Sequence, residues 1–273
     1  MNLEKAYNYF SEEYNNLYLE NLKEFQKNAT ELGNDETNFI HFYPSFGTKK
    51  NESTDFLVYG QATNGWSSFF DSDKEVNLNN VMEGIIASNR FLKSKNFTPI
   101  DLVNVKWSNG VFNKLCKEND TIFQFFGENK YRFHRSFFWN VIYKLVSDYY
   151  SFDRESWDWS KKIVWSNLYK IAPDGQNPNH IEKHSQLKKS AELIVQEIKE
   201  VNPKFCIVLT NINWWKPFQE LLNTVVLNIE TPEIVQSVEQ LHNTKIIVTD
   251  RPFIGSSEKY ANEILKIIKP NGR

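Results

Sequence analysis

Four short apolar runs divide the chain into regular blocks. They are rich in β-branched and aromatic residues, and they lie at 56–59, 163–165, 205–209 and 245–249. Runs of this length without polar alternation are typical of strands that are buried on both faces of a sheet. Such strands occur mainly in parallel sheets, so the pattern predicts an α/β fold with helices between successive strands.

Longer stretches before, between and after these runs carry apolar residues at helical spacing. In the first of them, Phe10, Tyr14 and Leu17 recur every three or four positions and form one apolar stripe. Asn179 and Glu182 have the spacing of a capping box, which predicts that a helix begins there. The predicted helices are residues 1–31, 76–93, 109–117, 135–150, 179–201, 214–222 and 257–268.

The order of these elements predicts one large domain. We expect a three-layer α/β/α domain at 54–273, with a mostly parallel central sheet of about four to five strands. Residues 1–53 are expected to form an N-terminal extension, in which the first helix and an aromatic extended segment at 39–46 pack on that domain. A further strand is predicted at 224–229, whereas 232–241 is compatible with either helix or strand.

Charge and cysteine content narrow the classes of function. The formal net charge is −2 and the pI is about 6.3, whereas a dedicated nucleic-acid coat is usually basic; a local basic groove stays compatible with these values. Cys116 and Cys206 lie far apart, so we expect neither a cysteine-based metal site nor a structural disulfide. Without a signal peptide or an apolar run of about 20 residues, a cytoplasmic protein that does not contact membranes is expected. No protein partner can be inferred.

The first polar loop follows the first strand and runs from Gly60 to Trp66. Its two glycines let the backbone turn tightly and approach a ligand closely. The backbone N–H groups of such a loop suit an anion, and Trp66 suits a planar ring. A tight strand-to-helix turn with a core tryptophan accounts for the loop equally well. The loop lacks both the Lys-Ser/Thr element of a P-loop and the G-x-G-x-x-G spacing of a dinucleotide site.

Two further loops follow later strands. The side-chain amide of Asn167 offers a donor and an acceptor, as the edge of a pyrimidine requires, although a lone asparagine is more often a turn or cap residue. Arg251 suits a phosphate or a developing negative charge, but a surface pair with Asp250 is the simpler interpretation. Because the carboxyl ends of parallel strands line the ligand crevice of an open α/β sheet, we expect these loops to face one another.

Together, these loops resemble the motifs of the uracil-DNA glycosylases, especially the bacterial and archaeal type that carries an iron–sulfur cluster. Gly60, Gln61 and Ala62 resemble the start of that type's Gly-Glu-Ala-Pro-Gly motif, and also the Gly-Gln-Asp-Pro-Tyr-His motif of the commonest type. The segment 166–178 resembles Asn-Val-Val-Lys-Cys-Arg-Pro-Pro with its following Asn and Pro, and Arg251 stands where the family has His before proline. The resemblance covers about residues 54–269 and implies an α/β domain that acts on a base in DNA.

The resemblance also implies roles for individual residues. Asn167 would read the uracil edge, and Trp66 or Phe70 would stack on the extruded base. Asn64 would position a water, and Arg251 would stabilise the departing uracil anion. The resemblance further implies that Gly60, Gln61 and Ala62 line the base pocket. Lys130, Arg132 and Arg135 form a basic stretch interleaved with aromatic residues, which suits contacts with DNA phosphates, as does Lys170. A solvated helix start is the commoner meaning of such a basic cluster.

Departures from the family leave three functions open. The cysteine ligands of the cluster are absent, so no cofactor is implied. Ala62 stands where the commonest type has its water-activating aspartate, and Arg251 replaces the family histidine. The chain is therefore compatible with a DNA glycosylase, with a catalytically inactive protein that binds nucleic acid, and with a protein that binds a small nucleotide or nucleobase.

Overall fold

The architecture is known from a computed structural model, which describes residues 9–32, 38–47, 53–62, 68–71, 73–88, 136–153, 158–251 and 256–269. The described strands are β1 (Asn38–His41), β2 (Ser45–Phe46), β3 (Phe56–Gly60), β4 (Phe69–Asp71), β5 (Ile163–Asn167), β6 (Ile171–Pro173), β7 (Phe205–Val208), β8 (Val225–Val226), β9 (Val235–Leu241) and β10 (Thr244–Thr249). The described helices are α1 (Glu12–Glu31), α2 (Leu78–Ser88), α3 (Phe137–Tyr150), α4 (His180–Val201), α5 (Ile212–Leu222) and α6 (Ser257–Ile268).

Seven of these strands form one mixed sheet in the order β2-β5-β3-β7-β10-β9-β8. The four central strands β5, β3, β7 and β10 are parallel to one another, and they coincide with the four apolar runs of the sequence. The predicted α/β class is therefore confirmed. The sheet has more strands than the four to five that were predicted. The additional strands are antiparallel: β2 lies at one edge, and β9 and β8 lie at the other.

Alternate residues of the parallel strands pack into different hydrophobic clusters. Phe56 and Val58 of β3 face a cluster formed by α3 and α6, whereas Leu57 and Tyr59 face a cluster formed by α4 and α5. This alternation follows from the two-residue period of a strand, and it explains why the runs contain no polar residues except Lys245 and Thr249 at the ends of the last run. The predicted capping box starts α4, since the Asn179 side chain accepts from the Glu182 N–H at 3.0 Å, and a Glu182 carboxylate oxygen accepts from the Asn179 N–H at 2.7 Å.

The N-terminal segment packs tightly against the rest of the chain. Helix α1 begins after its cap Ser11 and packs along α4, and it buries Tyr14, Tyr18 and Phe25. Strand β1 pairs with β6 and with β4 in a separate three-stranded antiparallel sheet, and β2 pairs with β5 of the main sheet. The segment predicted as an extension thus supplies strands to both sheets.

Other predictions are corrected or refined by the structure. Residues 232–241, compatible with helix or strand, contain β9, which forms a hairpin with β10. Of the strand predicted at 224–229, Val225–Val226 forms β8, and the Leu227 N–H donates to the Val238 carbonyl of β9 at 2.8 Å. The helix predicted at 109–117 lies outside the described residues, as does the end of the helix predicted at 76–93.

A buried histidine under α2 makes the stability of the fold dependent on pH. His41 is fully buried, and its Nδ1 lies 3.2 Å from the Tyr18 hydroxyl. The packing is close, since a Cβ at Gly84 would lie 2.9 Å from the His41 ring. Burial lowers the pKa of His41 from 6.5 to about 3, because the imidazolium would lose its hydration.

We therefore expect His41 to destabilise the protein in acid. The unfolded chain takes up a proton at His41 below pH 6.5 and the folded chain does not, so stability falls as the pH falls from 6.5 towards 3. The loss should be about 1.4 kcal/mol per pH unit in this window. Denaturant unfolding of the wild type and of His41→Asn between pH 7 and pH 4 tests this, and an NMR titration follows the ring directly. A His41 ring that titrates near pH 6.5 in the folded protein would contradict the prediction.

Candidate functional site: an amide at the carboxyl edge of the sheet

The neighbouring parallel strands β3 and β5 end at the same edge of the main sheet. Their last residues are Gly60 and Asn167, which lie opposite each other in the register. Open α/β sheets usually bind ligands at the carboxyl ends of their parallel strands, so this edge is the candidate site.

The Asn167 side chain lies over Gly60. A Cβ at position 60 would be 2.5 Å from the Asn167 Oδ1 and 3.8 Å from the Phe138 ring. Only glycine leaves room for the amide in this position. The structure therefore brings together Gly60 and Asn167, two of the predicted site residues, on the face that α3 covers.

The amide nitrogen of Asn167 is buried and unpaired. The residue is 2% exposed, and its Nδ2 has no hydrogen-bond partner within the part of the chain that the structure describes. A buried donor without a partner costs about 1–3 kcal/mol, so native proteins pair almost all such groups. An acceptor atom from a ligand would supply the missing partner.

Aromatic side chains lie on the same face of the sheet as this amide. Trp165 precedes Asn167 by two positions in β5 and therefore lies on the same face, where its ring centroid is 4.6 Å from that of Phe42. Phe138 of α3 lies 6.5 Å from Trp165, centroid to centroid, and both rings are only partly buried. Sequence reasoning missed both residues as part of the site. The two-residue period of β5 would have identified Trp165, whereas nothing in the local sequence marks Phe138.

Gln61 and Ala62 continue along the edge of the sheet. The backbone carbonyls of Gly60 and Gln61 accept from the N–H groups of Leu168 and Tyr169, at 2.9 and 3.1 Å, so the two strand ends stay paired beyond β5. The Gln61 side chain donates to the Thr210 carbonyl at 3.3 Å, and Ala62 packs against the cluster that α4 and α5 form. Gln61 is thus tied to the backbone that follows β7.

Arg251 lies at the same edge but far from Asn167. It is exposed and follows β10, which is three strands from β5 in the sheet order. At about 4.8 Å between neighbouring strands, the two backbones are roughly 14 Å apart. Its neighbour Asp250 is tied to the strand β9 by a hydrogen bond from Gln236. The structure does not bring Arg251 into contact with Asn167.

Phe70 is a core residue rather than a surface for base stacking. It is 4% exposed, and its ring stacks on Phe39 at 5.6 Å and meets Phe25 edge-on at 6.1 Å. These contacts belong to the cluster beneath α1, so the prediction that Phe70 stacks on an extruded base is wrong in this arrangement. Asn64, Trp66, Lys130, Arg132 and Arg135 lie outside the described residues, and their predicted roles stay predictions.

Lys170 is buried and cannot reach a DNA phosphate. Its Nζ donates to Glu197 Oε1 at 2.7 Å, to Ser166 Oγ at 2.6 Å and to the Asn167 carbonyl at 2.7 Å. Both charged side chains are 0% exposed. The prediction of a DNA contact fails because the sequence motif does not show that α4 places a carboxylate opposite this lysine.

The Glu197 carboxylate is also fully paired. It accepts from the Tyr14 hydroxyl at 2.7 Å and from the Tyr59 hydroxyl at 2.6 Å. Burial first, and then the charge of Glu197, raise the pKa of both tyrosines well above 10, so their hydroxyls remain donors. For Lys170, burial lowers the pKa and Glu197 opposes that change. We call this unit the buried ion-pair network. It consists of Lys170, Glu197 of α4, Tyr14 of α1 and Tyr59 of β3.

Other parts of the described structure give weaker indications of a functional site. A shallow groove of about 350 Å³ lies at the opposite edge of the sheet, where Asp55 and Lys204 form an ion pair at 3.1 Å. Within the described ranges, no cluster of three or more His, Cys, Asp or Glu side chains could hold a metal ion. None of the helices in those ranges has the length and apolar character that a membrane crossing needs. Cys206 is a buried core residue, and burial raises the pKa of its thiol.

Comparison with known proteins does not assign the chain to a family. No protein-family model matches the chain. No curated protein matches it at a significant level. The function is therefore inferred from the geometry at the carboxyl ends of β3 and β5, where Gly60, Asn167 and the rings of Phe138 and Trp165 lie.

Proposed function

We propose that this chain is a uracil-DNA glycosylase-like protein of three-layer α/β/α architecture that takes one unstacked pyrimidine base into the crevice at the ends of β3 and β5. The observation that carries the proposal is the buried, unpaired Nδ2 of Asn167 beside Gly60. The motif resemblance of the segments 60–62 and 166–178 supports the same reading.

The chemistry of the amide matches one pyrimidine edge. Uracil presents an N3–H donor next to an O4 acceptor, and a fixed asparagine amide can accept from the first through Oδ1 and donate to the second through Nδ2. Cytosine has the opposite polarity on this edge, so it would need the amide turned by 180°. The rings of Phe138 and Trp165 supply an apolar, aromatic environment in which such hydrogen bonds are stronger than in water.

Hydrolysis of the N-glycosidic bond is the reaction that the resemblance implies. It would require a group that activates water and a group that stabilises the departing uracil anion. Asn64 and Arg251 are the residues that we propose for these roles. A base extruded from DNA would enter by flipping out of the stack, so single-stranded or mismatched DNA is the favoured substrate.

A second candidate is base or nucleotide binding without hydrolysis. Ala62 favours it, because this position carries no carboxylate, and so does the separation of Arg251 from Asn167 by three strands. In this case the crevice would bind uracil or a uracil nucleotide and release it unchanged. The two candidates share the role of Asn167 and differ only in the presence of a cleaved product.

Replacing Asn167 by alanine tests both candidates. We expect Asn167→Ala to weaken uracil binding by about 10- to 100-fold, since two hydrogen bonds at a buried site are worth roughly 1.5–3 kcal/mol. Titration calorimetry with uracil and cytosine measures the affinities. An excision assay on single- and double-stranded oligonucleotides with uracil, hypoxanthine, xanthine or a thymine mismatch measures hydrolysis.

Asn243→Ala is the matched control, because Asn243 is an exposed asparagine at the opposite edge of the sheet. It should leave binding and excision unchanged. Excision by the wild type that is lost in Asn167→Ala supports the glycosylase. Uracil binding without excision supports the second candidate. A wild type that neither binds uracil nor excises any of these bases refutes both.

A further inference from the structure

The buried ion-pair network lies directly behind the Asn167 amide. Lys170 is in the tight turn between β5 and β6, and its ammonium reaches back under the end of β5. Two of its three hydrogen bonds end on that strand, at the Ser166 hydroxyl and the Asn167 backbone carbonyl. The third is the ion pair with Glu197 on α4.

The two faces of β5 therefore make different contacts. Ser166 and Lys170 face the α4 side, whereas the Asn167 side chain faces Gly60 and Phe138 on the α3 side. The Asn167 carbonyl is held at 2.7 Å by a cation that itself cannot move, because all three of its protons are engaged. This arrangement fixes the peptide plane from which the Asn167 side chain projects.

A buried ion pair contributes little net stability, because the free energy of removing its charges from water offsets much of their attraction. Removing both charges from water costs several kcal/mol per ion, and apolar residues of similar volume often give a protein of equal or greater stability. The pair is retained here with both partners fully buried and every Lys170 proton directed at a named acceptor. Its position suggests a function in orientation rather than in stability.

We propose that Lys170, held by Glu197, is the positioning residue that fixes the Asn167 amide for pyrimidine recognition. This inference rests on the proposed function of Asn167. Lys170 touches no base; it acts through the backbone of β5. Without it, the Asn167 amide would turn between orientations, and the distinction between uracil and cytosine would be lost.

The decisive variant is the double substitution Lys170→Met with Glu197→Gln. It removes both charges, and the glutamine amide can still hydrogen-bond to the hydroxyls of Tyr14 and Tyr59. In ¹⁵N-labelled protein, the side-chain NH₂ pair of Asn167 is identified by its loss in Asn167→Asp. We expect this pair to be well dispersed in the wild type and to move towards averaged shifts in the double variant. The uracil-to-cytosine affinity ratio should fall by about tenfold, the worth of one well-placed hydrogen bond.

Glu239→Gln is the matched control. Glu239 is another fully buried carboxylate, which accepts from the Trp215 indole at 2.9 and 3.0 Å and lies on β9, away from the crevice. It should destabilise the protein while leaving the Asn167 NH₂ pair and the affinity ratio unchanged. An effect of this variant equal to that of the double variant would show a general loss of stability and would overturn the inference.

The outcomes separate this inference from the proposed function. An unchanged NH₂ pair and an unchanged affinity ratio in the double variant overturn the positioning role. A wild type that binds no pyrimidine refutes the proposed function, and the NH₂ pair alone then decides whether Lys170 orders Asn167. If the double variant does not fold, Ser166→Ala removes one of the three Lys170 acceptors. We then expect a smaller shift of the same NH₂ pair, and its absence counts against the inference.

Discussion

Glu197→Leu is expected to lower the free energy of unfolding by about 3–5 kcal/mol, the range for breaking a buried ion pair by removing one partner. The loss arises because Lys170 would lose its carboxylate partner at a site that is 0% exposed, where an ammonium is either left unpaired or must give up its proton. The hydroxyls of Tyr14 and Tyr59 would lose their acceptor at the same time. Denaturant unfolding followed by circular dichroism measures this change.

Adding Lys170→Met to Glu197→Leu should recover part of the lost stability. The second substitution removes the unpaired charge, so the two changes should be strongly non-additive. Lys161→Met is the control, because Lys161 and Asp158 form an exposed pair at 2.8 Å and exposed pairs contribute about 0–1 kcal/mol. Additive losses for Glu197→Leu and Lys170→Met would show that the two residues do not stabilise each other.

Gly60→Ala is expected to abolish most of the pyrimidine binding while leaving the fold intact. The new Cβ would lie 2.5 Å from the Asn167 Oδ1, and the end of a side chain can move where a backbone cannot. The Asn167 amide should therefore swing away from Gly60, so both hydrogen bonds to the base are lost. We expect uracil affinity to fall by about 10- to 100-fold and the free energy of unfolding to change by less than about 1 kcal/mol.

Gly84→Ala provides the matched control for this variant. Its Cβ would lie 2.9 Å from the buried His41 ring, in the cluster beneath α1 rather than in the crevice. It should lower stability without changing the affinity for uracil. If Gly60→Ala binds uracil as the wild type does, the Asn167 amide is not the group that reads the base. If Gly60→Ala unfolds while Gly84→Ala folds, the Asn167 amide does not move aside for the added Cβ, and the prediction is wrong.

Much of the fold could be predicted because its signals are local. The four parallel strands are apolar in their central positions, and burial on both faces requires that composition. The start of α4 was predicted because the capping box needs only Asn179 and Glu182, three positions apart. The antiparallel strand β9 escaped a clear prediction, because its buried positions include Ser237 and Glu239, which read as polar in sequence.

The candidate site could be predicted only in part. Gly60 and Asn167 were predicted to lie in one crevice, because neighbouring parallel strands end at the same edge of a sheet. Phe70 was misassigned, because a strand of the second sheet carries it into an aromatic cluster. Phe138 was missed as a site residue, because it reaches the crevice from α3, and only the packing of that helix brings its ring close to Gly60.

The sequence by itself determined the four parallel strands and most of the helices, and it determined that a glycine and an amide stand at the ends of two of those strands, since these features follow from composition and short-range spacing. That these two strands are neighbours was decided by the tertiary structure. The tertiary structure alone decided which polar side chains at that edge are buried and which hydrogen-bond partners they have. Lys170 is an exposed cation by its residue type, yet α4 supplies Glu197 and makes it a buried ion pair. Asn167 is an ordinary strand-end residue in sequence, and only packing leaves its Nδ2 buried without a partner. Hydrogen bonding between distant segments depends on how helices pack on a sheet, and no local pattern encodes it.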